Sequence, residues 1–390
     1  MKTGFEKDLE KYSIHPFTHC SCMGMLIIVT TLFFMTVPTY SLLALQAYPL
    51  MYETSRTLSM GGVSVGIADD RQAMYTNPAG LAQIRDKEYA LIQAEGEYNQ
   101  DYRSVKDKTS GLSDRDTPQD RAANNRTLTS IMGKRAHMEA SNLAYYLGTQ
   151  GFAGAFLYQA LAETEVVRPT NPRIRALGAV DSMLSGSLSR PFPGTRTIFG
   201  DSANGWWGGT AKFLSRRSLD REYDARDFAG LSEADLRSSE RYGAAFDFDA
   251  ATYWELDNSW HSRVGGIIHN VLAAEIDPSI GNLKRDVAVG VSIRPLSGPP
   301  ERNKKLLLGA DLWNPQDGGE FFSHLRLGGE AWVRPWLGLR AGMRSGWLSA
   351  GIEANFRVIR LELSTYGEEI GPRPGDREDR RYRLALGVEF

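Results

Sequence analysis

Five residues near the N-terminus, Gly62-Val63-Ser64-Val65-Gly66, match the G-x-S-x-G pattern of a serine nucleophile. Such a serine works only on a sharp turn between a buried strand and a helix inside an alternating β/α fold. No strand is visible before Ser64, and no such alternation follows it. The sequence therefore favours an ordinary turn over a hydrolase elbow, and it predicts no catalytic residue.

The sequence also gives no indication of a metal site or a nucleotide site. The histidines beyond the N-terminal region are scattered and do not have the spacing of metal ligands. They are His137, His261, His269 and His324. No glycine-rich loop carries the lysine that a phosphate site needs. The net charge of −2 offers no attraction for nucleic acid. We therefore predict a protein without cofactors, metals or nucleic-acid partners.

Charged residues near the C-terminus are the remaining candidates for binding. They fall on the polar sides of neighbouring alternating segments. The basic members are Arg326, Arg340, Arg344 and Arg360, and the acidic members are Glu330, Glu353 and Glu362. One interpretation is Arg–Glu pairing that fills a barrel lumen. The other is a basic patch for an anionic head group. Pairing of buried charges is the commoner arrangement, and both interpretations stay open at this point.

The segments that carry these charges alternate between apolar and polar residues, which is typical of β-strands. Six occur in succession, at residues 287–293, 306–312, 325–333, 337–343, 348–356 and 359–364. A soluble sandwich shows the same alternation, but arginine or acidic residues together with glycine on the polar faces indicate a water-filled lumen. Four tryptophans at the predicted strand ends indicate the aromatic girdles of a membrane barrel. They are Trp313, Trp332, Trp336 and Trp347.

The whole chain fits an all-β, transmembrane antiparallel β-barrel of about 14 strands. The 390 residues suffice for one large barrel, and a mean hydropathy of −0.34 excludes a helical membrane bundle but not a barrel. In the first strand we expect Ala90, Ile92, Ala94 and Tyr98 on one face, with Gln93, Glu95 and Glu97 on the other. Long connections are predicted at residues 99–135, 166–176, 216–241 and 367–380, mainly at one end of the barrel.

The N-terminal region predicts export. Residues 23–37 are apolar and are followed by Pro38 and by small residues up to Ala47, which indicates a signal peptide over residues 1–47. The alternative is an uncleaved helical anchor, because residues 23–45 are long enough to span a bilayer. Both cysteines, Cys20 and Cys22, lie before the apolar run, so cleavage would leave no thiol.

Residues 48–86 predict a compact, irregular plug (hatch) that precedes a barrel over residues 87–390. Glycines permit unusual backbone geometry and Pro78 stiffens a turn. The motif consists of Gly61, Gly62, Asp69, Asp70, Asn77, Pro78, Ala79 and Gly80. This stretch resembles the N-terminal segment of FadL-like outer-membrane barrels, including the PorV/PorQ and TraF-like branches. We expect Asp69 and Asp70 to face lumen arginines, among them Arg340, Arg344 and Arg360.

The C-terminal segment places Tyr382, Leu384, Leu386, Val388 and Phe390 on one face. A terminal aromatic on such a strand resembles the sorting signal that the barrel assembly machinery reads. With the plug motif, this resemblance implies a protein of the cell outer membrane that contacts outer-membrane lipid. The FadL resemblance implies binding or passage of hydrophobic small molecules. The PorV resemblance implies instead a non-transporting partner of secretion-complex or envelope proteins. No enzymatic activity is expected.

Overall fold

The computed structural model describes residues 52–84, 87–148, 151–192, 203–295, 306–317 and 320–390. Fourteen strands of this part of the chain form a closed antiparallel barrel in which the first strand pairs with the last. The predicted barrel is therefore confirmed. The predicted signal peptide lies outside the described residues.

The barrel strands follow one another round the wall, each hydrogen-bonded to its neighbour along the chain. They are β1 Glu88–Asn99, β2 Arg135–Gly148, β3 Phe152–Val167, β4 Arg173–Pro191, β5 Ala203–Tyr223, β6 Arg241–Leu256, β7 Arg263–His269, β10 Asp286–Ile293, β11 Leu306–Trp313, β12 Leu325–Arg334, β13 Leu337–Arg344, β14 Trp347–Phe356, β15 Ile359–Glu369 and β16 Glu378–Glu389. Two short strands, β8 Glu275–Asp277 and β9 Gly281–Asn282, form a separate hairpin between β7 and β10.

We call the end where β1 begins and β16 finishes the near end, and the opposite end the far end. Near-end connections include the two-residue turns at 335–336 and 357–358. Far-end connections carry the helices α3 Tyr102–Ser110, α4 Pro118–Ser130, α5 Ala225–Ala229, α6 Glu233–Ser239 and α7 Phe321–His324. Apolar side chains from α3, α4 and α5, among them Val105, Leu128 and Ala225, pack over the far ends of β3 and β4. Short near-end turns and long far-end loops are typical of outer-membrane barrels.

Three predicted connections were too long. Strand β5 continues to Tyr223 and β15 to Glu369, which shortens the connections predicted at 216–241 and 367–380. Residues 166–176 are not a long loop, because β3 continues to Val167 and β4 begins at Arg173. Strands β2 to β6 are 14 to 21 residues long, whereas β7, β10, β11 and β13 have seven or eight. About ten residues suffice to cross the membrane. The longer strands therefore extend beyond the bilayer, where their sequences lose the apolar alternation that was used to find them.

The outer surface of the barrel is an apolar belt bounded by aromatic pairs. Tyr89 stacks on Phe390 with ring centroids 5.5 Å apart, and Tyr98 lies 5.8 Å from Tyr382. Tyr89 and Tyr98 are nine residues apart on β1, about 30 Å of extended chain, which a tilted strand reduces to the height of a membrane's apolar layer. By its fold, the chain is an outer-membrane β-barrel protein. No helix in the described ranges is both long and apolar enough to cross a membrane.

The tryptophan girdle was predicted from the wrong residues. Only Trp336 is exposed among the four, and it stacks on Phe356 at 5.9 Å. Trp313 is buried inside the barrel, parallel to His269 at 5.7 Å and with the Arg326 guanidinium 4.0 Å from its ring centre. The indole nitrogens of Trp332 and Trp347 donate to Glu330 and Glu369, respectively. Residues at a strand end can point inward or outward, and sequence position alone did not distinguish these cases.

The first residues of β1 do not face the directions that the sequence predicted. Ala90 is fully buried, whereas Leu91 and Ile92 are both exposed. The pairing of β1 shifts register here against both neighbours. A β-bulge inserts one extra residue and reverses the facing of the residues that precede it. Ala90 therefore points into the barrel, opposite to Ile92, and joins the apolar core around the plug.

Candidate functional site: the plug and the cavity above it

The segment 52–84 lies inside the barrel and closes it. It contains the short helices α1 Ser55–Ser59 and α2 Ala73–Thr76 and the 3-10 helix Pro78–Gln83, joined by turns. Almost every residue from Tyr52 to Leu81 is buried. An irregular backbone can lie at membrane depth only when other protein groups satisfy its hydrogen bonds. The segment is therefore a plug inside the barrel.

The motif residues shape the plug from within. Gly61 and Gly62 have φ angles of +68° and +83°, which glycine adopts without strain. The Asn77 carboxamide donates to the carbonyl oxygens of Val65 (3.0 Å) and Thr252 (3.1 Å) and accepts from the Ala79 N–H (3.2 Å). Asn77 thus caps the 3-10 helix and ties it to β6. Pro78 occupies the first helical position, where its missing N–H is not needed.

Side chains from six different strands of the wall donate hydrogen bonds to carbonyl oxygens of the plug. The pairs are Ser189 to Ala79 (2.7 Å), Thr210 to Met74 (2.8 Å), Ser292 to Gly66 (2.5 Å), Ser349 to Ser59 (3.1 Å), Arg326 to Gly62 (3.2 Å) and Arg383 to Glu53 (2.7 Å). Asp311 works in the opposite sense and accepts from the backbone N–H groups of Ser64 (2.6 Å) and Val65 (2.8 Å). The plug backbone is therefore hydrogen-bonded to seven of the fourteen barrel strands, β4, β5, β10, β11, β12, β14 and β16.

The local structure around Ser64 shows whether the G-x-S-x-G motif has the geometry of a serine nucleophile. Turns flank Ser64 on both sides, with no strand before it and no helix directly after it. Its backbone N–H binds Asp311, and its hydroxyl oxygen is buried without a hydrogen-bond partner among the described residues. The local structure is that of a plug turn, as the sequence indicated.

Asp69 faces arginines of the barrel wall, as expected, but these are Arg294 and Arg263 and not the three that were named. Asp69 binds Arg56 at 2.9 Å and Arg294 at 2.6 Å, and Asp70 binds Arg56 at 2.7 Å. Burial opposes the charge of Asp69, but Arg56, Arg294 and Arg263 hold the pKa of its carboxyl below the ordinary value. These pairs therefore stabilise the plug above the usual carboxyl pKa, and the contribution disappears only when the pH falls through the lowered one.

Arg326 and Arg344 do meet an acidic residue of the plug, but that residue is Glu53. Its carboxylate binds Arg326 at 3.2 Å and Arg344 at 3.0 Å. Burial works against ionisation, yet Arg344 and Arg326 hold the pKa of Glu53 below its ordinary value. The link between plug and wall therefore carries charge at neutral pH. Glu53 lies outside the motif from which the plug was predicted.

The remaining lumen candidates pair with one another. Arg340 binds Glu330 at 2.8 Å and Glu362 at 2.8 Å, and it also contacts Glu353. Arg360 binds Glu389 at 2.8 Å. Arg71 of the plug, 1% exposed, binds Glu362 at 3.1 Å. Of the two interpretations that the sequence left open, the geometry matches Arg–Glu pairing, and the arginines are not a free patch for an anionic head group.

A second charged network fills the lumen on the far side of the plug. Arg383 binds Glu95 at 3.0 Å, Glu97 at 2.7 Å and Glu139 at 2.9 Å. The ring nitrogens of His137 lie 3.0 Å from Glu97 and 2.8 Å from Glu163. Glu97, His137 and Glu139 bring their ligand atoms within 4.8 Å of one another. All three already have protein partners, so this cluster is an ion-pair network of the kind that fills a lumen.

A small cavity of about 20 Å³ lies between the plug and the far end, partly open to solvent. Its apolar lining consists of Tyr52, Leu157, Met183, Leu214 and Leu283, and its polar lining of Gln159, Asp181, Lys212, Arg216 and Asn270. Tyr52 belongs to the plug and Leu283 to the connection between β7 and β10, and the rest come mostly from β3, β4 and β5. This volume holds about one water, so a larger ligand could enter only if the surrounding side chains moved apart.

The charges that line the cavity neutralise one another. Arg216 forms two hydrogen bonds with the Asp181 carboxylate, at 2.7 and 2.6 Å. Lys212 binds Asp249 at 2.7 Å and the side-chain oxygen of Asn270 at 2.8 Å. Since these ions are paired, the surface that remains for a ligand is mainly apolar.

Sequence reasoning missed the cavity residues and Asp311. Apart from Tyr52, Asn270 and Leu283, each occupies an inward position in an alternating strand. Inward polar residues look alike in the sequence whether they form ion pairs, bind the plug or line a cavity. The one available signal was the mixture of Leu157, Met183 and Leu214 among polar inward positions of β3 to β5.

No family model matches the sequence, and a search of curated proteins gives no match. Among solved structures the chain is similar to the toluene transporter TbuX of Ralstonia pickettii, with 11% identity, a TM-score of 0.47 and coverage of 87% of this chain and 98% of that one. It is also similar to the toluene transporter TodX of Pseudomonas putida, with 9% identity, a TM-score of 0.45 and coverage of 89% and 98%. Likeness at this level decides neither family nor function. The barrel assignment depends on the chain's own strand pairing, and the PorV/PorQ and TraF-like branches stay predictions.

Proposed function

We propose that this protein binds hydrophobic small molecules in the cavity above its plug and passes them across the outer membrane. The observation that carries the proposal is the lining of this cavity, whose charged side chains are paired and whose other side chains are mostly apolar. The cavity widens in this proposal when a ligand enters. Apolar surface that water wets poorly favours an apolar ligand. The far end, with the long connections, faces outward in this proposal, so the cavity fills from outside.

Passage in this proposal requires the plug to move. The plug fills the barrel between the cavity and the near end, and wall side chains bind its backbone from six strands. The hydrogen bonds to the plug carbonyl oxygens are individually weak and can be exchanged for hydrogen bonds to water. A strand of the wall, in contrast, cannot separate from its neighbours without losing their shared backbone hydrogen bonds. The plug is therefore the movable element.

A second function is favoured by a different observation. Much of the lumen is filled by ion-pair networks, including the one around Arg383 and His137. A filled lumen suits a non-transporting component of a secretion or envelope complex, which needs a stable barrel and no route through it.

Deletion of residues 58–81 distinguishes the two. Under the transport proposal, the deleted barrel conducts ions in planar bilayers while the wild type stays closed, because removing the plug opens a water-filled lumen. Binding of a fluorescent hydrophobic probe should also weaken, since the floor of the cavity is disturbed. A deleted barrel that inserts normally, yet neither conducts nor changes probe binding, would exclude the transport proposal and leave the partner function.

A further inference from the structure

The interior of the plug contains a small hollow of about 10 Å³. Every residue that lines this hollow belongs to the plug itself, between Arg56 and Thr76. A space of this size has room for about one water molecule, and a water stays there only if polar groups surround it. The lining combines apolar side chains, such as Met60 and Ile67, with several polar ones. The hollow therefore differs from the dry cavities of an apolar core.

Two of the lining side chains have polar atoms without a hydrogen-bond partner in the described part of the chain. One is the hydroxyl of Ser64, a residue that is 5% exposed, and the other is the side-chain nitrogen of Gln72, which is 6% exposed. The side-chain oxygen of Gln72 already accepts from the Thr57 hydroxyl. Turning the carboxamide round only exchanges which of its atoms is left over. Buried polar groups without a partner are unfavourable, so both side chains point to a bound molecule.

We infer that the plug binds one water molecule in this hollow, and that the water bridges the Ser64 hydroxyl and the Gln72 carboxamide as part of the folded structure. Arg56 and Asp70 line the same hollow, but they bind each other at 2.7 Å. Because these charges are paired, the site offers hydrogen bonds without a net charge that would select an ion.

The bridge connects two parts of the plug. The turn at Ser64 is bound to the wall through Asp311, and Gln72 directly precedes α2. The water therefore extends the attachment of the turn to the start of α2. The inference is independent of the proposed function, because a plug that never moves needs the same water.

Hydrogen exchange of the plug amides, in the full chain reconstituted in lipid nanodiscs, tests the water by the direction of one effect. Ser64→Ala removes only the hydroxyl, since the backbone N–H can still bind Asp311. We expect exchange over residues 58–76 to become about fivefold faster, the ratio for one lost net hydrogen bond. Ser55→Ala is the matched control. The Ser55 hydroxyl is also buried and unpaired among the described residues but does not line the hollow, so its removal should not speed exchange.

Gln72→Met tests the second partner of the water. This variant should also speed exchange, and the double variant with Ser64→Ala should exchange about as fast as Gln72→Met alone. The reason is that the second substitution takes a partner from a water that is already lost. Equal rates in Ser64→Ala and Ser55→Ala would overturn the inference, as would effects of the Ser64 and Gln72 substitutions that simply multiply.

A crystal structure of the wild type, at a resolution that shows ordered water, tests the same site without any substitution. A variant that fails to fold therefore does not affect the outcome. We expect one density peak about 3 Å from both the Ser64 hydroxyl oxygen and the Gln72 carboxamide. Direct hydrogen bonds from both groups to other protein atoms, with no peak between them, would contradict a bound water.

Discussion

Arg340→Met should destabilise the folded barrel by about 3 kcal/mol, because it removes the cation that three buried carboxylates share. The Arg340 side chain is 1% exposed and contacts Glu330, Glu353 and Glu362. Methionine replaces the apolar stem of the arginine side chain but carries no charge. Glu330 keeps Arg56, and Glu362 keeps Arg71, so we expect weakening rather than complete failure to fold.

The heat-dependent gel shift of a folded barrel measures this effect, as does the midpoint of urea unfolding in detergent. Arg357→Met is the matched control, because Arg357 is exposed in the turn between β14 and β15, where a surface charge contributes little. An unchanged midpoint for Arg340→Met would mean that the ion-pair cluster does not stabilise the barrel.

Gly342→Val should release the plug from its seat without breaking the barrel. Gly342 lies on β13, and a β-carbon there would lie 2.6 Å from the carbonyl oxygen of Met60 and closer still to the neighbouring backbone atoms of the plug. Such a contact cannot be relieved by a side-chain rotation, because the atoms that obstruct it are backbone. Either the plug shifts or the strand does, and the strand is held by the ladders to β12 and β14.

Hydrogen exchange of the plug amides, followed by mass spectrometry, measures this release. We expect faster exchange over residues 58–68 in Gly342→Val, with the strand amides still protected. Gly186→Val is the control, because a β-carbon at Gly186 would have nothing within 4 Å. If both variants exchange like the wild type, close approach of the backbones at Gly342 does not seat the plug.

The barrel could be predicted because its determinants are local. An outward apolar residue next to an inward polar or small one recurs in each of the six strands β10 to β15, and their bounds match the predicted segments closely. The plug could be predicted from its resemblance and from its glycines. From the sequence, glycine on the inward strand faces indicated a water-filled lumen. At Gly342 and Gly208 it instead leaves room for the plug backbone, since a β-carbon at Gly208 would lie 2.5 Å from the Ala79 nitrogen.

Ion-pair partners could not be predicted, because they depend on which strands meet across a closed wall and on how the plug turns inside it. Asp69 and Asp70 meet Arg56, a plug residue that precedes them by 13 and 14 positions, and not the arginines of β13 and β15. The facing of Ala90 depended on a bulge, and the orientation of Trp313 on its contact with Arg326. The sorting role of Phe390 stays a prediction; the structure places its ring on the outer face, against Tyr89.

Saturable binding of an uncharged naphthalene dye to the purified barrel tests the central claim most directly, with a pair of adjacent tryptophan substitutions. Leu214 points into the cavity and is 7% exposed, whereas Phe213 next to it points into the lipid and is 51% exposed. We predict one saturable site in the wild type and in Phe213→Trp, and its loss in Leu214→Trp, where the larger ring fills the cavity. Equal binding by all three proteins, or binding that never saturates, would contradict a ligand site above the plug.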